Sequence, residues 1–233
     1  MTFDPNELRV RRFTAADTDV VRACQALRYR VYRHELGLDT PDMDHQLGLD
    51  VERRDPACDF LVAHDRAGQV LGCVRLQVER PPSFYAEDEF ELTDPFWNAQ
   101  RFAEGARFVV EPALRDSVVP LALFSAFRDA CRAEGIEQLL SVAIVSGALE
   151  DRRRLAGLVR FLLPRVELAV QRARPAAGYE LAISDRDELE AAEPTTDVPP
   201  MMRLLATGRT TLCSAPAYCR RFGTFNFLLV TRL

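Results

Sequence analysis

Residues 60–78 read FLVAHDRAGQVLGCVRLQV. Two apolar runs, Phe60–Ala63 and Val70–Val78, flank the polar stretch 64–69, which holds Asp65 and Gly68; this predicts a β-hairpin. Apart from Arg75 and Gln77, near its end, the second run carries no polar side chain. A guanidinium inside such a strand needs a charged partner, so Arg75 is either half of a structural ion pair or a clamp for a substrate anion.

Upstream of the hairpin, Leu8–Phe13 alternates apolar and basic residues and predicts a first strand. Thr14 and Asp17 have capping-box spacing. Val20, Val21, Cys24, Leu27, Val31 and Leu36 then recur at helical spacing, with Gly37 as the stop. Residues 38–58 are polar and Asp-rich and predict a loop. Downstream, residues 79–100 form a long acidic and aromatic stretch, a kind that is commonly functional or carries short helices. Further expectations are a strand near Arg107–Val110, a helix over 117–134 stopped by Gly135, a buried strand over 138–145, and a basic helix over 147–163 closed by Pro164. A strand over 179–183, an acidic Pro-rich surface connection over 185–200, a short helix over 200–207 and a last strand over 225–231 complete the chain. This order predicts one α/β (α+β) domain spanning 1–233, with a mixed, mostly antiparallel central sheet flanked by helices.

Composition narrows the chemistry. Thirty basic against thirty-five acidic residues in 233 leave a net charge of −5, which weighs against a dedicated nucleic-acid binder. The chain has no lysine, so Schiff-base, P-loop-lysine and lysine-base mechanisms are excluded. The six cysteines and three histidines lack zinc spacing, so no metal is expected, and scattered thiols predict reduced, buried side chains in a cytosolic protein. No apolar run reaches membrane-spanning length, and residues 1–10 lack a signal-peptide pattern. No G-x-S-x-G or Gly-rich phosphate loop occurs.

What remains is a set of charged residues where apolar ones are expected. Arg28 and Tyr32, four apart, share a helix face; Arg28 either snorkels to solvent or grips a carboxylate or carbonyl with its planar fork. Glu52 and Asp55 lie in the acidic segment, where a solvated loop is the plain alternative. In Glu104-Gly105-Ala106-Arg107-Phe108-Val109-Val110, a regular strand puts Glu104 and Arg107 on opposite faces. A bulge at Gly105 would turn both to one side and splay the strand toward a ligand; the plain alternative is a strand-end salt bridge.

Taken in order, Arg28-x-x-x-Tyr32, Glu52-x-x-Asp55, Gly72-Cys73-Val74-Arg75-Leu76 and Glu104-x-x-Arg107-Phe108 resemble the acyl-homoserine-lactone synthases of the GNAT N-acyltransferase superfamily. Residues 84–92, FYAEDEFEL, with Leu27–Tyr32, Cys58–Val62 and Pro199–Met202, resemble the ornithine-lipid-type N-acyltransferases and long-chain N-acyl amino acid synthases more closely. The lactone synthases usually carry Phe where Tyr32 stands and Trp near Leu38. The resemblance implies a GNAT-like fold and no tightly bound cofactor. It also implies transfer of a medium or long acyl group from an acyl carrier protein (ACP) thioester, or acyl-CoA, to a small amine. Glu104 would be the base, with Arg107 and Phe108 beside it; Arg28, Tyr32, Glu52, Asp55 and Arg75 would bind or brace the substrate.

Acetyl-CoA enzymes of that superfamily hold the pyrophosphate on a Gly-rich turn. Here residues 111–118, EPALRDSV, lack the glycines, which favours a phosphopantetheine arm held by Val110, Arg115 and the helix N-terminus. An acidic carrier protein needs a basic partner; Arg152, Arg153, Arg154 and Arg160 are the candidates, or else a solvated charged face. Phe108, Phe124 and Phe127 are expected either in an acyl tunnel or in the core. Lipid products also suggest transient contact with the inner membrane. The rival readings are a lactone synthase using S-adenosylmethionine, an acetyl-CoA N-acetyltransferase, and an idle GNAT-fold binding module.

Overall fold

The computed structural model describes residues 4–78, 83–181, 192–206 and 208–233. The chain divides into two compact units, residues 1–82 with 103–136 and residues 83–102 with 137–233.

The first unit is built on the predicted hairpin. Strands β1 (Arg9–Phe13), β4 (Asp59–His64), β5 (Val70–Gln77) and β7 (Phe102–Val110) lie in the order β1-β4-β5-β7, every neighbour antiparallel. Helix α1 (Thr18–Tyr29) covers the face that presents Phe60, Val62, Cys73 and Val109, packing Val21, Cys24, Leu27 and Val31 onto it. Helix α3 (Val119–Ala133) covers the opposite face with a stripe of Val119, Leu123, Phe127 and Cys131. Gly72 permits that approach: a Cβ there would sit 2.9 Å from Leu123 and 3.0 Å from the Val109 carbonyl. At its far end α3 stops as predicted, with Gly135 at φ 67° and the Ile136 N–H returning to the Cys131 carbonyl at 2.9 Å.

Three expectations are revised here. The Asp17 carboxylate accepts from the Thr14 N–H (2.8 Å) and hydroxyl (3.1 Å), which closes a turn ahead of α1 and makes no reciprocal cap. The predicted helix does not run as α to residue 36. From Arg30 to Glu35 it widens to π geometry, the Leu36 N–H reaching the Val31 carbonyl at 3.0 Å, before Gly37 ends it at φ 67°. Residues 38–58 are not a solvated loop. They hold a small hairpin, β2 (Met43–Asp44) with β3 (Leu49–Asp50), and a 3-10 turn at Asp55–Ala57, and they bury Asp50, Glu52, Arg54 and Asp55.

In the second unit β8 (Gln138–Ser146) pairs along its whole length with β13 (Thr224–Arg232), antiparallel. β11 (Thr210–Leu212) continues the sheet and β9 (Glu167–Leu168) ends it in parallel, while β12 (Ala217–Cys219) also pairs β13. The described part of the acidic aromatic stretch, residues 83–100, carries short helices, as expected. A 3-10 turn at Tyr85–Asp88, β6 (Phe90–Glu91) paired with β10 (Arg174–Pro175), and α2 (Phe96–Ala99) carry Phe84, Phe90 and Trp97 into a core with Phe102, Leu140 and Leu228.

Helix α4 spans Arg152–Leu162, starting five residues later than the sequence suggested because Asp151 caps it by accepting from the Arg154 N–H at 3.0 Å. Helix α5 spans Pro200–Leu205. Of the strand expected over 179–183, the described residues form one bridge, Glu180 with Ala217; residues 182–191, which include its end and the start of the expected acidic connection, lie outside the described residues. Strand pairing is thus all antiparallel in the first unit's sheet and mixed, mostly antiparallel, in the second's, with helices on the two faces of the first. All six cysteines are free and buried. Among the described residues no helix is long and apolar enough to cross a membrane.

Candidate active site

A buried network of ions holds residues 50–55 against α1 and β5. The Arg28 guanidinium is fully buried, which excludes snorkelling. It grips Asp55 with two parallel bonds (Nη1 to Oδ1 3.1 Å, Nη2 to Oδ2 2.6 Å), places Nε 2.8 Å from an Asp50 carboxylate oxygen, and donates to the Asp50 carbonyl. Burial works against its charge, but Asp55 and Asp50 outweigh that and hold its pKa above the ordinary arginine value. Asp55 accepts further from Gln25 (3.0 Å), from the Glu52 N–H (3.3 Å) and from Arg75 (3.4 Å). Glu52 bridges Arg54 at 2.9 Å and also contacts Arg75. Three guanidiniums thus face three carboxylates, each at most 3% exposed. An ion this deep costs several kcal/mol to desolvate, recovered only with good geometry to a partner. Arg75 is pulled down to about 10 by burial and by the positive charge of Arg107, and remains a cation at neutral pH.

β7 brings the remaining pair to this network. Opposite β5 the register runs Gln77↔Glu104, Leu76↔Gly105, Arg75↔Ala106 and then slips, so that Val109 faces Cys73 and both Arg107 and Phe108 stand against Val74. The bulge is therefore at Arg107–Phe108, not at Gly105 as the sequence suggested. Arg107 adopts φ 56°, a conformation that costs a non-glycine residue roughly 1–2 kcal/mol. Its side chain supplies the compensation: Nη2 lies 3.1 Å from Asp42, Nε 3.6 Å from Asp50, and the guanidinium stands 5.7 Å from the Tyr32 ring centre. Directly paired residues share a face, so Glu104 lies on the face of Arg75 and Gln77, and the extra residue swings Arg107 to that face too. The parity change expected from a bulge is present, two residues later than expected. Glu104 is 2% exposed. Tyr32 is pushed up to about 12 by burial and keeps its phenol proton.

Arg107→Gly should keep the bulge, whereas Arg107→Val, which also removes the cation, should be less stable than the glycine variant by about 1–2 kcal/mol in urea unfolding. Equal stability of the two would mean that the positive φ carries no strain.

The other expected residues fall elsewhere. Phe108 is half-buried in the bulge. Phe127 belongs to the buried stripe of α3, and Phe124 stacks under Arg128 at 5.6 Å. Arg115 does not stand open for a phosphate: it makes two contacts to Glu35, one of 2.6 Å, and its Nε donates to the Val110 carbonyl at 3.4 Å. In the second unit Arg152 is half-buried and Arg153 exposed at the start of α4, while Arg154 pairs with Asp197 at 2.9 Å. Burial pushes the Cys58 and Cys131 thiols up to about 12, so neither is a ready nucleophile.

The sequence reading missed Gln25, Asp42, Asp50 and Arg54. The signal available was the alternation of charge in Asp50-Val51-Glu52-Arg53-Arg54-Asp55 between the apolar Leu49 and Cys58. Burial lifts the Asp42 pKa above its usual range while Arg107 opposes the rise.

Residues 27–125 match the acetyltransferase (GNAT) domain family. The matched span contains the whole network, from Arg28 to Arg107. Two curated relatives are similar to the chain, both L-ornithine N(alpha)-acyltransferases. The one from Rhodobacter capsulatus is 33% identical over 143 residues, 57% of this chain and 55% of the relative. The one from Brucella abortus is 28% identical over 141 residues, 55% of this chain and 50% of the relative. The chain thus spans about half the length of the curated relatives it matches. Among solved structures, the CoA-dependent acyl-homoserine lactone synthase BjaI, in complex with MTA, superposes with a TM-score of 0.56 at 18% identity, covering 97% of this chain and 83% of that one. A putative N-acetyltransferase from Lactobacillus plantarum does so with a TM-score of 0.51 at 13% identity, covering 98% and 99%. Both show the GNAT fold.

Proposed function

We propose that this chain is an N-acyltransferase that moves a medium or long fatty acyl group from an ACP thioester to the amine of an amino acid, ornithine or a close relative. The observation that carries the reading is the bulge of β7, which sets Glu104 and Arg107 on one face beside the Arg28–Asp55–Glu52–Arg75 network. The likeness to two L-ornithine N(alpha)-acyltransferases supports the acceptor class.

The reaction is direct attack of the amine nitrogen on the thioester carbonyl, followed by loss of the carrier thiolate. An α-amine is largely protonated at neutral pH, so a base must take its proton. Glu104 takes it, directly or through a water, and the departing sulfur leaves as the thiol once protonated. The tetrahedral oxyanion is held by a backbone N–H of the bulged segment 108–110, since a bulge leaves its extra residue out of the ladder; one such donor contributes about 3–4 kcal/mol.

Arg28 and Arg75 are committed to Asp50, Asp55 and Glu52, so in this reading they brace the site. Arg107, less deeply buried, can exchange its carboxylate partner for that of the substrate. An ACP arm fits better than CoA, because Glu35, Glu111 and Asp116 surround the turn after β7 and Arg115 is occupied by Glu35. Arg152 and Arg153 offer the acidic carrier a cationic contact. The enzyme works from the cytosol, peripheral to the inner membrane.

The test is incubation with acyl-ACP and single amino acids, reading thiol release and product mass. The expected result is thiol release dependent on the amine, with a product whose mass is that of the fatty acid plus the amino acid minus water. A lactone formed only with S-adenosylmethionine, or no thiol release with any amine, would overturn the reading.

A further inference from the structure

The second unit presents a surface that the acyl-transfer chemistry does not use. α4 ends at Leu162, and the chain turns back at once: the N–H groups of Arg165 and Val166 both return to the Leu162 carbonyl, at 2.8 and 3.1 Å. It then enters β9, a two-residue strand at the edge of the sheet. Along this turn and edge Leu163, Leu168 and Val170 are 37%, 56% and 46% exposed. Guanidiniums are interleaved with them. Arg165 lies 4.2 Å over the Phe161 ring and Arg172 3.9 Å over the Phe96 ring, and Arg160 stands one turn back on α4. The acid of this stretch, Glu167, accepts from the Thr211 hydroxyl at 3.4 Å. Three arginines against one glutamate make residues 160–172 cationic in a chain of net charge −5. Beside Arg165 lies a cavity of about 390 Å³ lined by Pro164, Arg165, Val166, Glu167, Ala206 and Gly208.

We propose that residues 160–172 dock this protein on an anionic bilayer, with Leu163, Leu168 and Val170 entering the headgroup boundary and Arg165 and Arg172 meeting lipid phosphates. Cations laid flat on aromatic rings between exposed aliphatic side chains suit an interface that is apolar on one side and anionic at its rim. A protein partner fits less well. The edge strand is too short to template another strand, and the guanidiniums interrupt the apolar residues where a partner helix would need a continuous groove. Local attraction also answers the unfavourable net charge, since juxtamembrane arginines act within a Debye length of the surface. The proposal gives the acyltransferase reading a place of contact with lipid, but it is tested without turnover, so the two stand or fall separately.

The experiment is co-sedimentation of the full chain with vesicles of mixed phosphatidylglycerol and phosphatidylcholine, against vesicles of phosphatidylcholine alone. The wild type should bind the anionic vesicles at least about tenfold more tightly, and added salt should weaken that binding. The double variant Leu168→Glu, Val170→Glu, and separately Arg165→Glu, should each lose about tenfold or more in vesicle binding with an unchanged circular-dichroism melt. Failure of the wild type to sediment with anionic vesicles overturns the proposal. So does vesicle binding that survives both changes, and so does a double variant that still binds vesicles but no longer binds ACP.

Discussion

Glu104→Gln is expected to fold and to lose about 100- to 10,000-fold in kcat, the usual worth of a positioned general base. Glutamine has the shape of glutamate and cannot take a proton from the amine. The KM for the acyl donor should change little, because the lost interaction acts on the amine in the transition state. The pH profile separates this from a merely structural effect. Without the base, reaction waits for amine that is already neutral, so the variant's rate should climb about tenfold per pH unit below the amine's own pKa, and the gap to wild type should narrow in alkali. A folded Glu104→Gln protein that acylates at the wild-type rate would remove Glu104 from the mechanism.

Asp55→Ala should be the most destabilising single change in the network. Asp55 accepts both terminal nitrogens of Arg28 and also contacts Gln25, Arg75 and the Glu52 N–H. Removing it leaves two buried guanidiniums short of a carboxylate, which costs about 3–5 kcal/mol. Urea unfolding measures the loss. Limited trypsin digestion locates it: cleavage after Arg53 and Arg54 should accelerate, because the segment 50–55 is pinned through this carboxylate. A loss below about 0.5 kcal/mol, the scale of an ordinary surface change, would mean that the network does not hold the segment. Asp55→Asn should fall between the two, since an amide keeps hydrogen-bond capacity and loses the charge.

These two side chains also show how differently the sequence exposes its contents. The hairpin over 60–78, the apolar stripe of the first helix, the glycine stops at Gly37 and Gly135 and the long strand at the C-terminal end could be read directly, because each depends on local periodicity or on one residue's backbone freedom. Arg75 and Glu104 could be singled out because a charge inside an apolar strand is costly and invites the question of its partner. The partners were harder. Residues 38–58 have the composition of a solvated loop, and only the fold reveals that Asp50, Glu52, Arg54 and Asp55 are sealed under α1. The short strands β11 and β12 were missed for the same reason: three residues carry too little pattern, and pairing with β13 defines them.

By itself, the amino-acid sequence determined the alternation of strands and helices, the absence of any lysine chemistry, and the set of charged residues that had to find one another. Tertiary structure decided where they meet. A bulge one residue long, placed at Arg107 and not at the more permissive Gly105, turns Glu104 and Arg107 to the same face. Its location is set by what the Arg107 side chain reaches, Asp42, Asp50 and Tyr32, whose contacts offset the cost of a left-handed backbone. Those partners lie more than fifty residues upstream, on the helical turn Arg30–Glu35 and in the β2–β3 hairpin region, so no local pattern in residues 104–110 encodes the choice.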